Sequence, residues 1–242
     1  MRHAIPKPIF LALPPIAILL AGCPTPSSWT TPRTLPEGES THTIGLEWFT
    51  FKGAREDLNG DGDTRDAFES GTYTLPFVFP AYVFRTGLAD IMDLGVKASL
   101  AGDAVVDFKL QAVRSEFFDL AFDPSLQIGF VSYAALPVLF GINAGEFFQV
   151  TLSPRLTYGY AVDDDTTDPI DGVFYGGSVG LRIAPTDRLA ILPEINILER
   201  FDTEGAIITA GLGISFGRGQ PDYRSEEDVA AQAPPPGPPI VQ

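Results

Sequence analysis

The chain has 242 residues, a formal net charge of −15 and a mean hydropathy of +0.12, with one cysteine and two histidines. So acidic a chain is a poor partner for nucleic acid, whose binding rests on clustered lysine and arginine. A single cysteine excludes an internal disulfide and a cysteine-based zinc site, and His3 and His42 leave little for zinc chemistry.

The chain begins Met1-Arg2-His3, with Lys7 close behind, then an apolar stretch from Ile9 to Leu20, then Ala21-Gly22-Cys23. A basic start, an apolar core and small residues before a cut predict a secretory signal peptide over 1–22. The apolar stretch is too short to span a membrane and carries Pro14 and Pro15. Leu20-Ala21-Gly22-Cys23 resembles the lipobox of bacterial lipoproteins. That resemblance implies cleavage before Cys23 and acylation of Cys23, anchored by about 0.8 kcal/mol for each buried methylene. In such lipoproteins an aspartate after the cysteine favours retention at the inner membrane; here Pro24 follows, which favours the outer membrane. Residues 23–43 are rich in Pro, Ser and Thr and read as a flexible, lipid-anchored tether, with His42 an exposed linker residue.

Residues 44–217 form the expected folded body, one domain by length, and their dominant signal is period two. Over 148–162 one parity holds Phe148, Val150, Leu152, Leu156, Tyr158, Tyr160 and Val162, while the other holds Gln149, Thr151, Ser153, Arg155 and Thr157. Residues 173–183 and 208–216 repeat the pattern, and 92–100 and 118–130 agree. About ten strands are expected, near 44–52, 73–84, 91–99, 103–112, 117–130, 133–142, 147–161, 173–184, 188–198 and 207–217. Eight remain if 44–52 and one other weak segment are left out. Residues 218–242, acidic and then Pro-rich, are expected to be a disordered tail.

Alternation alone also suits a soluble β-sandwich or a lipocalin-like barrel with its apolar side inward. Three features favour an all-β, antiparallel, up-and-down transmembrane β-barrel. The polar parity is built of small residues, which a narrow lumen needs. Tight turns near 86–89, 114–115, 143–145 and 185–187 alternate with the longer connections 53–71, 162–172 and 199–206. Aromatics gather at strand ends: Phe118, Phe148 and Phe216 at one rim, Phe130, Tyr158, Tyr160 and Tyr175 at the other. Against this stand Pro76, Pro80, Pro124, Pro137, Pro154 and Pro193, each of which costs a ladder bond inside a strand.

The stretches Gly87-Leu-Ala-Asp-Ile-Met-Asp-Leu-Gly-Val96, Leu152-Ser-Pro-Arg-Leu-Thr-Tyr158 and Tyr175-Gly-Gly-Ser-Val-Gly-Leu181 resemble uncharacterised outer-membrane β-barrel proteins of Gram-negative bacteria. The last strand, with Leu212, Ile214 and Phe216, resembles the terminal strand of barrels inserted by the outer-membrane assembly machinery, although a long tail follows it. The resemblance implies an outer-membrane location, with the barrel-assembly and lipoprotein-sorting machineries and outer-membrane lipid as partners. It brings no activity.

Two groups of residues carry candidate chemistry. Asp57, Asn59, Asp61, Asp63 and Asp66 place oxygens at close intervals around glycines, which suits a hard cation such as Ca²⁺. The segment resembles the calcium loops of EF-hand and dockerin-like proteins, except that Phe68 holds the twelfth position and Glu69 comes one residue late. The plain alternative is a solvated acidic loop. Asp93, Lys97, Asp107, Lys109, Asp119, Asp123, Arg155, Arg182 and Glu194 are expected to face the lumen, as a narrow solute path or as a salt-bridge network that fills it. No histidine pairs with an acid at the outer rim, so the expectation is a non-enzymatic barrel with a structural or surface-interaction role and at most minor transport. A lipid-tethered periplasmic module binding an apolar ligand is the alternative, and an acid-dependent barrel hydrolase the third reading.

Overall fold

The computed structural model describes residues 26–52, 72–74, 78–100, 102–129, 131–145, 147–161, 172–201 and 206–217. Their regular structure is all strand: β1 Ser40–Lys52, β2 Thr72–Thr74, β3 Phe79–Ala89, β4 Met92–Ser99, β5 Ala104–Arg114, β6 Phe118–Phe122, β7 Ser125–Ile128, β8 Val131–Asn143, β9 Phe148–Ala161, β10 Gly172–Thr186, β11 Leu189–Arg200 and β12 Ala206–Gly217. β2 and β3 both pair with β1, and β6 and β7 both lie between β5 and β8, so the twelve segments make ten staves. All the pairings are antiparallel between chain neighbours, and β1 pairs with β12 from Thr41↔Gly217 to Lys52↔Ala206, which closes the ring. The expected up-and-down barrel of ten strands is what forms. The eight-stranded alternative fails because the stave containing 44–52 carries the closing seam.

Period-two sequence becomes a two-faced wall, since successive side chains leave opposite faces of a strand. Leu152 and Leu156 are 41% and 56% exposed on the outside, while Arg155 between them is 8% exposed and faces in. Ile44, Leu46, Val106, Leu126, Leu136, Val179, Ile195, Leu212 and Ile214 share the outer face. Thr43, Glu47, Arg85, Lys97, Gln127, Ser153, Arg182 and Asn196 are buried on the inner one. A soluble sandwich or lipocalin-like barrel would bury the leucines instead, so this orientation counts against that alternative.

The tight connections share one end of the barrel. They lie at 90–91, 115–117, 144–147 and 187–188, alongside the start of β1 and the end of β12. The turn expected near 86–89 is at 90–91 instead, because β3 continues to Ala89, which pairs with Met92 after a register shift beyond Gly87. The other end carries the ends of β1, β4, β7, β9 and β11; residues 53–71, 101, 130, 162–171 and 202–205 lie outside the described residues. Pro80 and Pro193 keep their pairing with Leu46 and Leu212, Pro76 lies outside the described residues, and local breaks fall at other strand prolines. Asp123-Pro124 separates β6 from β7, yet Leu110↔Phe122 and Asp107↔Ser125 keep one register across it. Opposite Pro154, the β8–β9 pairing lapses between Pro137 and Phe140.

Candidate functional site

The lumen is occupied by the chain itself. Residues 26–35, expected as part of a free tether, run through the barrel, with Ser27, Trp29, Thr31, Arg33, Thr34 and Leu35 all buried. This corrects the reading of 23–43 as a flexible tether: its described part, from Pro26, is lumen filling up to Leu35 and stave from Ser40. The physical reason lies in the same composition that suggested a tether. A Pro- and Thr-rich segment forms no helix or strand ladder of its own, so its N–H and C=O groups need partners from elsewhere. The lumen wall supplies them.

The segment enters at the tight-turn end. Gly38 N donates to Gly87 O at 3.0 Å, Gly87 N donates to Glu39 O at 2.9 Å, and Glu37 bridges Gly87 in parallel. Gly87 is needed there, since a Cβ would run into the Leu35 and Pro36 carbonyls. Moving inward, Leu35 N donates to Asp93 Oδ2 (3.3 Å) and Thr34 N to Gln111 Oε1 (3.0 Å). Lys109 Nζ donates to Thr31 O (2.8 Å) and Arg33 O (3.1 Å). Ser28 N and Trp29 N both donate to Glu194, the latter at 2.8 Å, with Trp29 held at φ 44°. Ser27 N donates to Glu47 Oε1 (2.9 Å), Lys97 Nζ to Ser27 O (2.8 Å) and Arg155 Nη1 to Pro26 O (2.6 Å).

The two largest side chains of the segment are seated specifically, and the Thr34 hydroxyl is bonded to Gln111 Oε1 at 2.8 Å and Asp90 O at 2.7 Å. Trp29 packs with Ala81, Val83, Ala184, Ala190 and Leu192, with Lys97 Nζ 5.5 Å from its ring centroid. Its indole fills a recess left by Gly45, Gly211 and Gly213, where any Cβ would collide with the ring. Arg33 pairs with Asp119 (3.0 and 3.2 Å) and donates to Ser115 O at 2.7 Å. Asn143 and Gln149 also donate to Asp119, at 3.0 and 3.2 Å.

Behind the segment the wall is a charge network. Arg85 pairs with both Asp93 and Asp107 and lies 3.9 Å from Asp123, while Lys109 Nζ sits 3.0 Å from Asp93 Oδ2. Arg155 lies 3.7 Å from Glu194. Charges this deep persist only when paired, because an uncompensated buried ion costs several kcal/mol. Toward the other end Phe174, Leu198 and Ile207 form a buried apolar cluster on the adjacent staves β10, β11 and β12. Two cavities of about 30 Å³ each remain beside the segment. Each is room for water, not for a solute.

All nine residues expected in the lumen are buried there: Asp93, Lys97, Asp107, Lys109, Asp119, Asp123, Arg155, Arg182 and Glu194. Sequence reasoning missed Arg85, the centre of the network, because a turn placed at 86–89 put it at a strand end. It also missed Glu47, Gln111 and Asn143, whereas Gln149 lies on the parity expected to face the lumen. His42 is a correction: it belongs to β1, on the outer face, bonded to Tyr82 Oη at 2.6 Å and stacked near Phe216. Cys23 and the candidate calcium ligands Asp57, Asn59, Asp61, Asp63 and Asp66 lie outside the described residues.

No protein-family model and no curated protein matches the chain. Similar solved structures include Ail, the attachment invasion locus protein of Yersinia pestis, at 14% identity and TM-score 0.37, covering 75% of this chain and 99% of that one. Neisserial surface protein A is similar at 10% identity and TM-score 0.40, covering 74% and 99%. An outer membrane channel from Pseudomonas putida F1 is similar at 11% identity and TM-score 0.44, covering 81% and 100%.

Proposed function

We propose that this protein is an exported, lipid-anchored outer-membrane β-barrel whose lumen is closed by its own N-terminal segment, with a structural or surface-interaction role and no catalytic one. The observation that carries this reading is the inverted wall, apolar outside and charged inside, with residues 26–35 filling the interior. β9 alone has fourteen residues. At about 3.3 Å per residue and a tilt near 40°, such a stave rises about 35 Å, enough for a hydrocarbon core of about 30 Å. Phe118 and Phe216 at the tight-turn rim and Tyr158 and Tyr175 at the other stand exposed where an interface would lie.

The occupied lumen favours the salt-bridge-filled reading over a solute path, leaving transport at most minor. A hydrolase reading gains nothing from His42, which faces away from the lumen carboxylates. Lipid attachment at Cys23, sorting to the outer membrane and insertion by the barrel-assembly machinery belong to the same proposal. So does calcium held by Asp57, Asn59, Asp61, Asp63 and Asp66, which isothermal titration of the folded protein with Ca²⁺ tests directly.

The primary test is a denaturing gel with and without boiling, combined with conductance in a planar bilayer. A band that shifts on boiling, with no steady conductance, is expected. No shift, together with a soluble Cys23-deleted form, would overturn the membrane barrel. A shift with a steady open-pore current would overturn the closed lumen.

A further inference from the structure

The contacts between segment and wall have an unusual division. Main-chain atoms of Pro26, Ser27, Ser28, Trp29, Thr31, Arg33, Thr34 and Leu35 are all bonded by wall side chains, namely Glu47, Asp93, Lys97, Lys109, Gln111, Arg155 and Glu194. Acids and one amide receive the N–H groups, and cations reach the carbonyls. That arrangement reads the backbone of a polypeptide that is extended but for the turn at Trp29, and the hydroxyls of Ser27, Thr30 and Thr34 are bonded as well, by Asn196, Lys109 and Gln111. It is the logic of peptide grooves, in which main-chain hydrogen bonds give affinity and a few pockets give selectivity. Here the two large side chains have seats of their own, the glycine recess that takes Trp29 and the Asp119 site that takes Arg33, four residues on, and beside the latter the Thr34 hydroxyl is bonded to Gln111 and Asp90 O.

The join between this segment and the barrel is slight. Pro36, Glu37 and Gly38 are exposed at the tight-turn rim, and only there does the segment pass into β1. Covalent continuity at that point makes the segment a resident, but none of its wall contacts requires it.

We infer that the lumen is a binding channel for an extended polypeptide, and that residues 26–35 are its built-in ligand. An exogenous extended segment takes the same seat when the resident is released, provided it carries a large aromatic and, four residues toward its C-terminus, an arginine. This rests on the closed-barrel reading and deepens it.

The test uses the full chain with a protease site inserted between Glu37 and Gly38. The protein is folded and then cut in detergent, so the barrel assembles around its own segment before the join is broken. A fluorescent synthetic peptide of residues 26–36 is then added, and exchange is followed by anisotropy on the heat-modifiable species. Saturable uptake is expected, with a peptide carrying Trp29→Ala and Arg33→Ala binding about 30-fold more weakly or worse, as for two anchor residues of an interface. A peptide of unrelated sequence should not compete. Cut barrel that keeps its gel shift yet neither releases its segment nor takes up peptide overturns the inference. So does loss of the gel shift upon release, which would make the segment part of the core. Uptake with equal affinity for the doubly substituted peptide overturns the two-pocket selectivity. Failure of the closed-barrel reading is seen separately, as conductance of the uncut protein.

Discussion

Trp29 and Gly213 meet inside the barrel so closely that a Cβ on residue 213 would stand 2.8 Å from the indole. Gly213 is on β12 and Trp29 is about 180 residues away in the chain, yet each fixes what the other can be. Gly213→Val therefore unseats the ring. Overpacking of this kind costs about 1–3 kcal/mol. The expected signature is a red-shifted emission and readier acrylamide quenching of Trp29, read in a Trp48→Phe background because Trp48 is the only other tryptophan. Unchanged emission would mean that the ring does not sit in this recess.

Arg85 is the ion on which Asp93 and Asp107 both depend. Arg85→Met removes the cation facing the buried carboxylates of Asp93, Asp107 and Asp123, and leaves Lys109 3.0 Å from Asp93. A loss of about 3–5 kcal/mol is expected, measured by guanidinium unfolding in detergent. Adding Asp107→Asn to Arg85→Met should recover part of that loss, and a double-mutant cycle over the pair gives the coupling. Additive effects would show that the two do not interact.

Leu156 lies on the outer face near the middle of β9, whereas Phe216 lies at the rim end of β12. In a bilayer Leu156→Arg should cost about 2–4 kcal/mol and Phe216→Arg about 0–1, because the penalty for a lipid-facing cation falls with distance from the midplane. Folding titrations in lipid vesicles make this comparison. Equal costs at the two depths would mean that no bilayer surrounds the wall.

Cys23→Ala should abolish incorporation of a radiolabelled fatty acid and leave the heat-modifiable band in place, since Cys23 precedes every described barrel contact. Mass spectrometry of the mature N-terminus reads the same point. A labelled Cys23→Ala protein would remove the lipobox reading.

Most of the barrel was legible because a strand's side chains alternate and a buried polar wall makes that alternation visible. Arg155 between Leu152 and Leu156 is enough to set the face of all of β9. What alternation cannot report is which residues fill the space inside. Residues 26–35 carry no period at all, so their burial had no local sign. The signal was elsewhere, in Gly45, Gly211 and Gly213: three lumen-side residues of adjacent staves without side chains, which a narrow lumen would otherwise have filled. Arg85 was lost for another reason. Thr86-Gly87-Leu88 looks like a turn, but the glycine there serves the passing backbone of Pro36 and the strand continues to Ala89.

β1 is both the stave that seals the ring against β12 and the direct continuation of the segment inside it. A cylinder assembled stave by stave stays an open trough until that last seam zips. While it is open, Asp93, Lys109, Gln111, Glu194 and Asp119 lie along the trough floor as a row of charges and amides that the segment's groups can join. The leading segment can be laid along that row from the side, with no need to be threaded through a finished hole. Sealing the seam then swaddles it. The connectivity thus puts the segment ahead of the stave that seals the ring: residues 26–35 come before β1 in the chain, and the cylinder cannot close without β1.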